Sequence, residues 1–172
     1  MDKVYVEATY KSLNKLNEEL CGDRVEIVKN DDSYFVVLSD GLGSGVKANI
    51  LSTLTSKIIS TMMFQGASIE DTVETVVHTL PVCSVRKVAY STFMILQISY
   101  DGNAYLVEFD SPGCIFVRDG RLMNIEYNYR SIAGKEIKEA HFKVKPNDFM
   151  MLLSDGVVYA GIGELMNLGW TW

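Results

Sequence analysis

The periodicity of the apolar residues changes twice along this 172-residue chain, and these two changes constrain its fold most strongly. In residues 3–9 and 24–30 apolar and polar residues alternate, and residues 34–39 form a short apolar run, so each segment is predicted to be a strand. From Val46 to Met62 apolar residues recur every fourth position, which predicts a helix of about four to five turns. From Val88 onwards the period of two returns.

A second helix is predicted directly after the first. Gly66 is expected to end the first helix, because glycine readily adopts the positive φ that often follows a helix. Ser68 is expected to cap the second helix, with Glu70 and Asp71 in its first turn. This helix covers residues 69–80, so the two helices form a hairpin.

Turn sequences separate the strands predicted in the second half of the chain. Asp101-Gly102-Asn103 and Asp119-Gly120 are each typical of a tight hairpin turn. The strands are predicted at 88–100, 104–110, 114–118, 122–127, 137–145 and 149–156, and the tail 161–172 is expected to begin another helix. Strands, a helix pair and then a run of strands are typical of an α+β fold with antiparallel sheets. Residues 1–172 are expected to form a single domain.

Charge and cysteine content exclude several classes of protein. The net charge of −6 argues against non-specific binding to nucleic acid or to an anionic membrane, and it suits a protein that binds cations through carboxylates. The three cysteines, Cys21, Cys83 and Cys114, are too widely spaced for a zinc pair or a disulfide framework. Neither a signal peptide nor a membrane span is indicated, so a cytoplasmic location is expected.

The tetrapeptide Leu-Ser-Asp-Gly ends two separate apolar runs, at 38–41 and at 153–156. Either copy alone is a common turn after a strand. A carboxylate held at the end of a strand is also a good ligand for a hard cation, and a following glycine lets its carbonyl approach the ion. In a hairpin that turns near residues 31–32, Asp23 lies beside Asp40. Because three converging carboxylates repel one another unless a cation neutralises them, Asp23, Asp40 and Asp155 predict a metal site.

Nucleotide binding is the other interpretation of the glycine-rich segment 40–45, Asp-Gly-Leu-Gly-Ser-Gly. A dinucleotide fingerprint requires Gly-x-Gly-x-x-Gly, whereas the third glycine here stands one position early and no βαβ unit surrounds it. A phosphate-binding P-loop requires Gly-Lys-Ser/Thr, which does not occur. A nucleotide-binding protein therefore remains a minor alternative.

Taken together, these stretches resemble the bacterial metal-dependent serine phosphatases of type 2C, and most closely the stage II sporulation protein E family. The resemblance is carried by Gly22-Asp23, by VVLSDGLGSGVKA at 36–48, by LVEFDSPGCIFVRDGRL at 106–122 and by MLLSDGVVYAG at 151–161. It implies a sandwich of two packed antiparallel β-sheets flanked by helix pairs, in agreement with the order of strands and helices.

The resemblance also implies a hydrolase with two Mn²⁺ or Mg²⁺ ions. Asp40 would bridge both ions, Asp23 and the carbonyl of Gly41 would bind one of them, and Asp155 would bind the other. A hydroxide bridging the ions would attack phosphoserine or phosphothreonine on a regulatory protein, of the anti-sigma-factor-antagonist type in relatives with sporulation or stress roles. The same three aspartates are therefore the expected catalytic residues.

The family normally continues to further helices and a strand with an Asp-Asp pair, one member of which completes the second metal site. The sequence stops at Trp172 without that pair, so we expect a C-terminally truncated domain with a weak or empty site at Asp155. The alternative function is a non-catalytic regulatory or interaction module on the same fold. Helices 46–80 begin at the metal loop, so a regulatory partner docked there is expected to gate metal binding.

Overall fold

The computed structural model describes residues 3–79 and 91–160. Within these ranges the elements in chain order are β1 (Asp23–Lys29), β2 (Ser33–Gly41), α1 (Gly45–Phe64), α2 (Ile69–Thr79), β3 (Ser91–Ser99), β4 (Asn103–Phe109), β5 (Cys114–Arg118), β6 (Arg121–Leu122), β7 (Asn128–Ile132), β8 (Lys135–Lys143), β9 (Phe149–Leu152) and α3 (Asp155–Val158). The predicted start of a strand at 88–90 and the predicted tail helix at 161–172 lie outside the described residues.

The strands form two antiparallel sheets, as the sequence predicts. The larger sheet has six strands in the order β1-β2-β3-β4-β8-β7, and the smaller has three in the order β6-β5-β9. The predicted α+β class with two antiparallel sheets is therefore confirmed. In the described part of the chain, no helix is long and apolar enough to span a membrane.

Each face of the six-stranded sheet covers an apolar core. On one face the sheet packs against α1 and α2, with Val37, Ile59, Val73 and Ile95 at or near zero exposure. On the other face it packs against the smaller sheet, through Leu106 among others. The two cores give a layered domain of helices, large sheet and small sheet.

The β1–β2 hairpin forms in the register expected from its turn. The side-chain oxygen of Asn30 accepts hydrogen bonds from the backbone N–H groups of Asp32 and Ser33, at 3.0 and 2.9 Å. This turn fixes the pairing of the strands, and at their open end Asp23 stands opposite Asp40. The predicted juxtaposition of these two aspartates is therefore confirmed.

Helix α1 buries mainly small residues and exposes several large apolar ones. Val46, Ile50 and Leu54, from the apolar stripe that predicts the helix, are 63%, 59% and 51% exposed. The buried face consists mainly of small side chains, Gly45, Ala48, Ser52, Thr55, Ser56, Ile59, Ser60 and Met63. The hydroxyls of three of its serines donate to backbone carbonyls one turn earlier in the helix. Small residues on this face let the helix axis approach the sheet closely.

The helix junction is capped as predicted. Gly66 has a φ of 86° and its N–H donates to the carbonyl of Met63, which ends α1. Ser68 Oγ accepts a hydrogen bond of 3.0 Å from the N–H of Asp71, which caps α2.

The strand predictions differ from the structure in four places. The predicted strand at 149–156 ends at Leu152, and Asp155 begins α3 instead. Residues 3–9 form no strand, although Val4 N–H donates to the carbonyl of Tyr100 and Val4 packs on the second core. The predicted strand at 122–127 is reduced to the end of β6, because Ile125 and Tyr127 reach the core without joining a ladder. Strand β7 is not predicted, because it is a largely exposed edge strand without apolar alternation.

Candidate metal centre

Three neighbouring strands of the large sheet place Asp40 at the centre of the site. Asp40 is the penultimate residue of β2, with Asp23 opposite it on β1 and Thr92 opposite it on β3. Gly41 N–H donates to the carbonyl of Gly22 at 3.2 Å, which extends the contact of the two chain segments beyond the β1–β2 register. Asp40 therefore has a fixed backbone position between two partner strands.

The third aspartate reaches the site from the smaller sheet. Asp155 is the first residue of α3, with two residues between it and the end of β9, and it is exposed. The preceding residue, Ser154, donates a hydrogen bond of 2.7 Å from Oγ to Oδ2 of Asp23. The end of β9 and the start of β1 are thus joined although they lie far apart in the sequence.

The carboxyl group of Asp40 is strongly perturbed by this arrangement. Burial, together with the negative charges of Asp23 and Asp155 and hydrogen bonds with both, raises the pKa of Asp40 to about 8. The structure therefore brings all three predicted aspartates close enough to interact. Positive charge brought to this carboxyl would lower its pKa and favour the charged carboxylate.

Gly41 is required by the close approach of α1 to β2. A Cβ atom at Gly41 would overlap the backbone of Ala48, so no other residue fits here without moving the helix. The backbone of the predicted metal loop is consequently packed directly against the first turns of α1. Glycine at position 41 therefore leaves the backbone of this loop free of any side chain on the side that faces α1.

The loop between β2 and α1 is held from outside by Glu18. Its Oε1 accepts a hydrogen bond of 2.8 Å from Ser44 Oγ, and its carboxylate also approaches Gly45, whose φ is 68°. Ser44 stands at the N-cap position of α1 without making the usual side-chain cap. Negative charge at the N-terminus of a helix is favourable, so Glu18 stabilises the start of α1 from a separate segment.

A small cavity lies beside Asp40, and three residues that carry hydroxyl groups are part of its lining. This cavity of about 10 Å³, the size that one water molecule requires, is lined by residues that include Asp40, Thr92, Ser111 and Ser154. Ser111 Oγ is buried and has no hydrogen-bond partner among the described residues. The cavity therefore offers polar groups to a small molecule of water size beside Asp40.

Other residues with potential chemistry lie away from the three aspartates. Arg118 forms a two-pronged ion pair with Asp148, which lowers the pKa of that carboxyl. His78 is exposed on α2, and His141 is stacked on Tyr105 with the ring centroids 3.9 Å apart. None of these side chains is held at the site.

The donor chemistry of the site fits a hard divalent cation. Asp23, Asp40 and Asp155 supply only oxygen, which Mg²⁺ and Mn²⁺ prefer. Within residues 3–79 and 91–160, however, no group of three or more His, Cys, Asp or Glu side chains is arranged so that it could hold a metal ion. The three aspartates instead raise one another's cost of carrying negative charge, as the pKa of Asp40 shows.

The sequence pattern indicated the aspartates but not the serine that contacts one of them. Ser154 is part of the repeated Leu-Ser-Asp-Gly tetrapeptide, so the repetition itself was the available signal. The two serines of the repeat make different contacts, however. Ser39 Oγ is bonded to Ser91 Oγ at 2.7 Å and donates to the carbonyl of Thr92 at 3.0 Å. The position in the tetrapeptide therefore does not predict the partner.

Most of the chain matches a known protein family. The sequence profile of stage II sporulation protein E (SpoIIE) matches residues 30–168, which include Asp40, Gly41 and Asp155. The chain belongs to the SpoIIE family. A comparison with curated proteins gives no match.

Solved structures show the fold of this SpoIIE-family chain in other proteins. The PP2C phosphatase domain of SpoIIE from Bacillus subtilis, solved with a fragment of its regulatory domain, gives a TM-score of 0.72 at 19% identity and covers 84% of this chain and 43% of that chain. The RsbU and RsbW domains of a Mycobacterium tuberculosis protein give 0.73 at 15% identity, covering 91% of this chain and 45% of that one. RsbX in complex with magnesium gives 0.65 at 20% identity, covering 84% and 71%. The fold is therefore that of PP2C phosphatase domains, and the chain spans less than half the length of the first two relatives.

Proposed function

We propose that this SpoIIE-family domain hydrolyses phosphoserine or phosphothreonine on a regulatory protein, using Mn²⁺ or Mg²⁺. The observation that carries the proposal is the convergence of Asp23 and Asp155 on Asp40, whose pKa is raised to about 8 by burial and by the two neighbouring charges. The resemblance to phosphatases that act on anti-sigma-factor antagonists suggests the substrate class, and a cytoplasmic location is part of the proposal.

The residues of this chain that would hold the metal are Asp23, Asp40, Asp155 and the carbonyl of Gly41. When bound, two divalent cations supply an activated water and neutralise the charge that develops on the phosphoryl oxygens. Asp40 contributes a carboxylate whose backbone is fixed between β1 and β3. Its raised pKa means that it gives up a proton as it takes a cation. Crystallisation of the relative RsbX with magnesium supports this choice of metal.

A non-catalytic regulatory module on the same fold is the second candidate. It is favoured by one observation, that the described residues contain no ready-made group of three metal-binding side chains. If that candidate is correct, the chain is expected to bind a phosphoprotein partner without releasing phosphate, whatever the metal.

The exposed face of α1 supports a regulatory partner at helices 46–80. Ile50 and Leu54 line a groove of about 320 Å³ together with Asn49, Thr53 and Lys57. Because the opposite face of the same helix packs on Gly41, displacement of the helix would shift the metal loop. Addition of Mn²⁺ is expected to slow hydrogen exchange in α1; if the metal is bound but exchange in α1 does not change, this coupling is wrong.

Phosphate release tests the proposed activity. The chain is incubated with a phosphoserine protein or a chromogenic phosphate ester, with and without Mn²⁺. Asp40→Asn is expected to lower the metal-dependent rate by at least about two orders of magnitude, since it removes a group that acts with the others as a unit. Asp31→Asn is the matched control, because Asp31 is an exposed aspartate in the β1–β2 turn. Equal rates for Asp40→Asn and Asp31→Asn would overturn the proposal, and binding without any turnover would favour the second candidate.

A further inference from the structure

Ser154 stands at the boundary between the two sheets, beside all three aspartates of the candidate metal centre. It is 8% exposed and follows β9 of the smaller sheet. Its hydroxyl reaches Asp23, the first residue of β1 in the larger sheet, with Oγ to Oδ2 at 2.7 Å. This distance is typical of a strong hydrogen bond to a charged acceptor.

The hydroxyl of Ser154 does not cap the helix that follows it. Ser154 is the N-cap residue of α3 and has the extended backbone that a capping serine normally has, with φ −83° and ψ 166°. Its side chain nevertheless makes no cap hydrogen bond to α3. The hydrogen bond to Asp23 therefore takes the place of a local one.

Ser39 provides a direct comparison, because it occupies the same position in the other copy of Leu-Ser-Asp-Gly. Ser39 is fully buried, and its Oγ contacts Ser91 Oγ and the carbonyl of Thr92 on β3. These contacts tie two adjacent strands of one sheet together, and neither involves a carboxylate. The two serines therefore differ in one respect that matters for the site: only the hydroxyl of Ser154 orients an acidic side chain.

We propose that Ser154 is a positioning residue that fixes the carboxylate of Asp23 for cation binding. By donating to Oδ2, Ser154 satisfies one oxygen of the carboxylate and limits its rotation. The same hydrogen bond connects β1 of the larger sheet with the segment that carries Asp155, so the ligands from the two sheets are held in a common arrangement. This inference rests on the proposed metal-dependent function.

Residues that hydrogen-bond to a metal ligand typically account for about 10- to 100-fold in metal affinity. Without the hydroxyl, Asp23 loses a donor that offsets the crowding of negative charge around Asp40. The neighbouring cavity lies beside Ser154, so an alanine leaves space there and Asp23 gains freedom to turn. Weaker cation binding with an intact fold is the expected consequence.

The experiment is a calorimetric titration of Mn²⁺ into the 172-residue chain and into Ser154→Ala, Ser154→Thr, Ser39→Ala and Asp40→Asn. Ser154→Ala is expected to raise the Kd for Mn²⁺ by about 10- to 100-fold. Ser154→Thr keeps the hydroxyl and is expected to restore the affinity to within a few-fold of the unmodified chain. Ser39→Ala is expected to leave the affinity within a few-fold, although it also removes a buried hydroxyl.

Thermal unfolding of each variant without metal separates positioning from folding. If Ser154→Ala and Ser39→Ala lower the midpoint comparably but only Ser154→Ala loses affinity, the positioning role is supported. If Ser154→Ala binds Mn²⁺ as tightly as the unmodified chain, or if Ser154→Thr is as weak as Ser154→Ala, the inference is wrong. Failure of the metal centre itself is distinguishable, since the unmodified chain and Asp40→Asn would then show the same titration.

Discussion

At the scale of single residues, the proposed metal binding depends on how the neighbouring carboxylates change the pKa of Asp40. Burial and the charges of Asp23 and Asp155 raise its pKa to about 8, whereas an ordinary aspartate has a value of 3.8. A proton and a metal cation therefore compete for the same carboxylate. The repeated tetrapeptide made Asp40 and Asp155 predictable, and the hairpin that turns near residues 31–32 made Asp23 predictable. The contact between Ser154 and Asp23 was not predictable, because it depends on how two sheets meet.

The raised pKa of Asp40 predicts how the stability of the fold depends on pH. Between about pH 4 and pH 8 the folded chain holds a proton on Asp40 that the unfolded chain has lost, so this carboxyl makes the fold less stable as pH rises through that window. In metal-free buffer, Asp40→Asn is expected to be more stable relative to the unmodified chain at pH 8 than at pH 5. Urea unfolding of both proteins across this range measures the difference. Parallel stability curves would contradict the assigned pKa shift.

The same competition predicts that metal binding strengthens with pH. Because Asp40 must lose its proton to take a cation, the apparent affinity for Mn²⁺ is expected to rise from pH 5 to about pH 8 and then to level off. Titrations at fixed ionic strength test this dependence. An affinity that stays constant over the range would show that Asp40 is not the titrating ligand.

At the scale of secondary structure elements, α1 shows the limit of what periodicity can predict. The repeat of apolar residues every fourth position correctly indicated a helix, but Ile50 on that stripe faces solvent. The buried face carries Ala48 and serines, which hydropathy patterns do not mark as core. The close approach of the helix to Gly41 selects small residues here, and that constraint becomes visible only once β2 is in place.

Two isoleucines of α1 test the orientation of the helix. Ile59 is 0% exposed and Ile50 is 59% exposed. Ile59→Ala is expected to lower the free energy of unfolding by about 2–5 kcal/mol, since it leaves a cavity in the core between helices and sheet. Ile50→Ala is expected to change it by no more than about 0.5 kcal/mol. Chemical denaturation measures both values, and a larger loss for Ile50→Ala would mean that α1 presents its other face to the sheet.

At the scale of the whole molecule, the site exists because two sheets meet at one end. Asp23 and Asp40 come from the larger sheet, and Asp155 follows the last strand of the smaller one. The order of strands and helices was enough to predict the α+β class and the β1–β2 hairpin. Strand β7 was not predicted, because an exposed edge strand leaves little trace in the sequence. The prediction of a strand at 3–9 was wrong, because alternation of apolar residues also occurs where a segment packs on the core without pairing with a strand.

Asp40 is proposed to be the central carboxylate ligand of a divalent cation site, and a calorimetric titration tests this proposal most directly. Mn²⁺ is titrated at pH 8 into the unmodified chain, into Asp40→Asn and into Asp31→Asn, whose exposed side chain lies in the β1–β2 turn. We predict that the unmodified chain and Asp31→Asn bind Mn²⁺ with the same affinity and that Asp40→Asn shows no measurable binding. Equal binding by all three proteins would contradict the account.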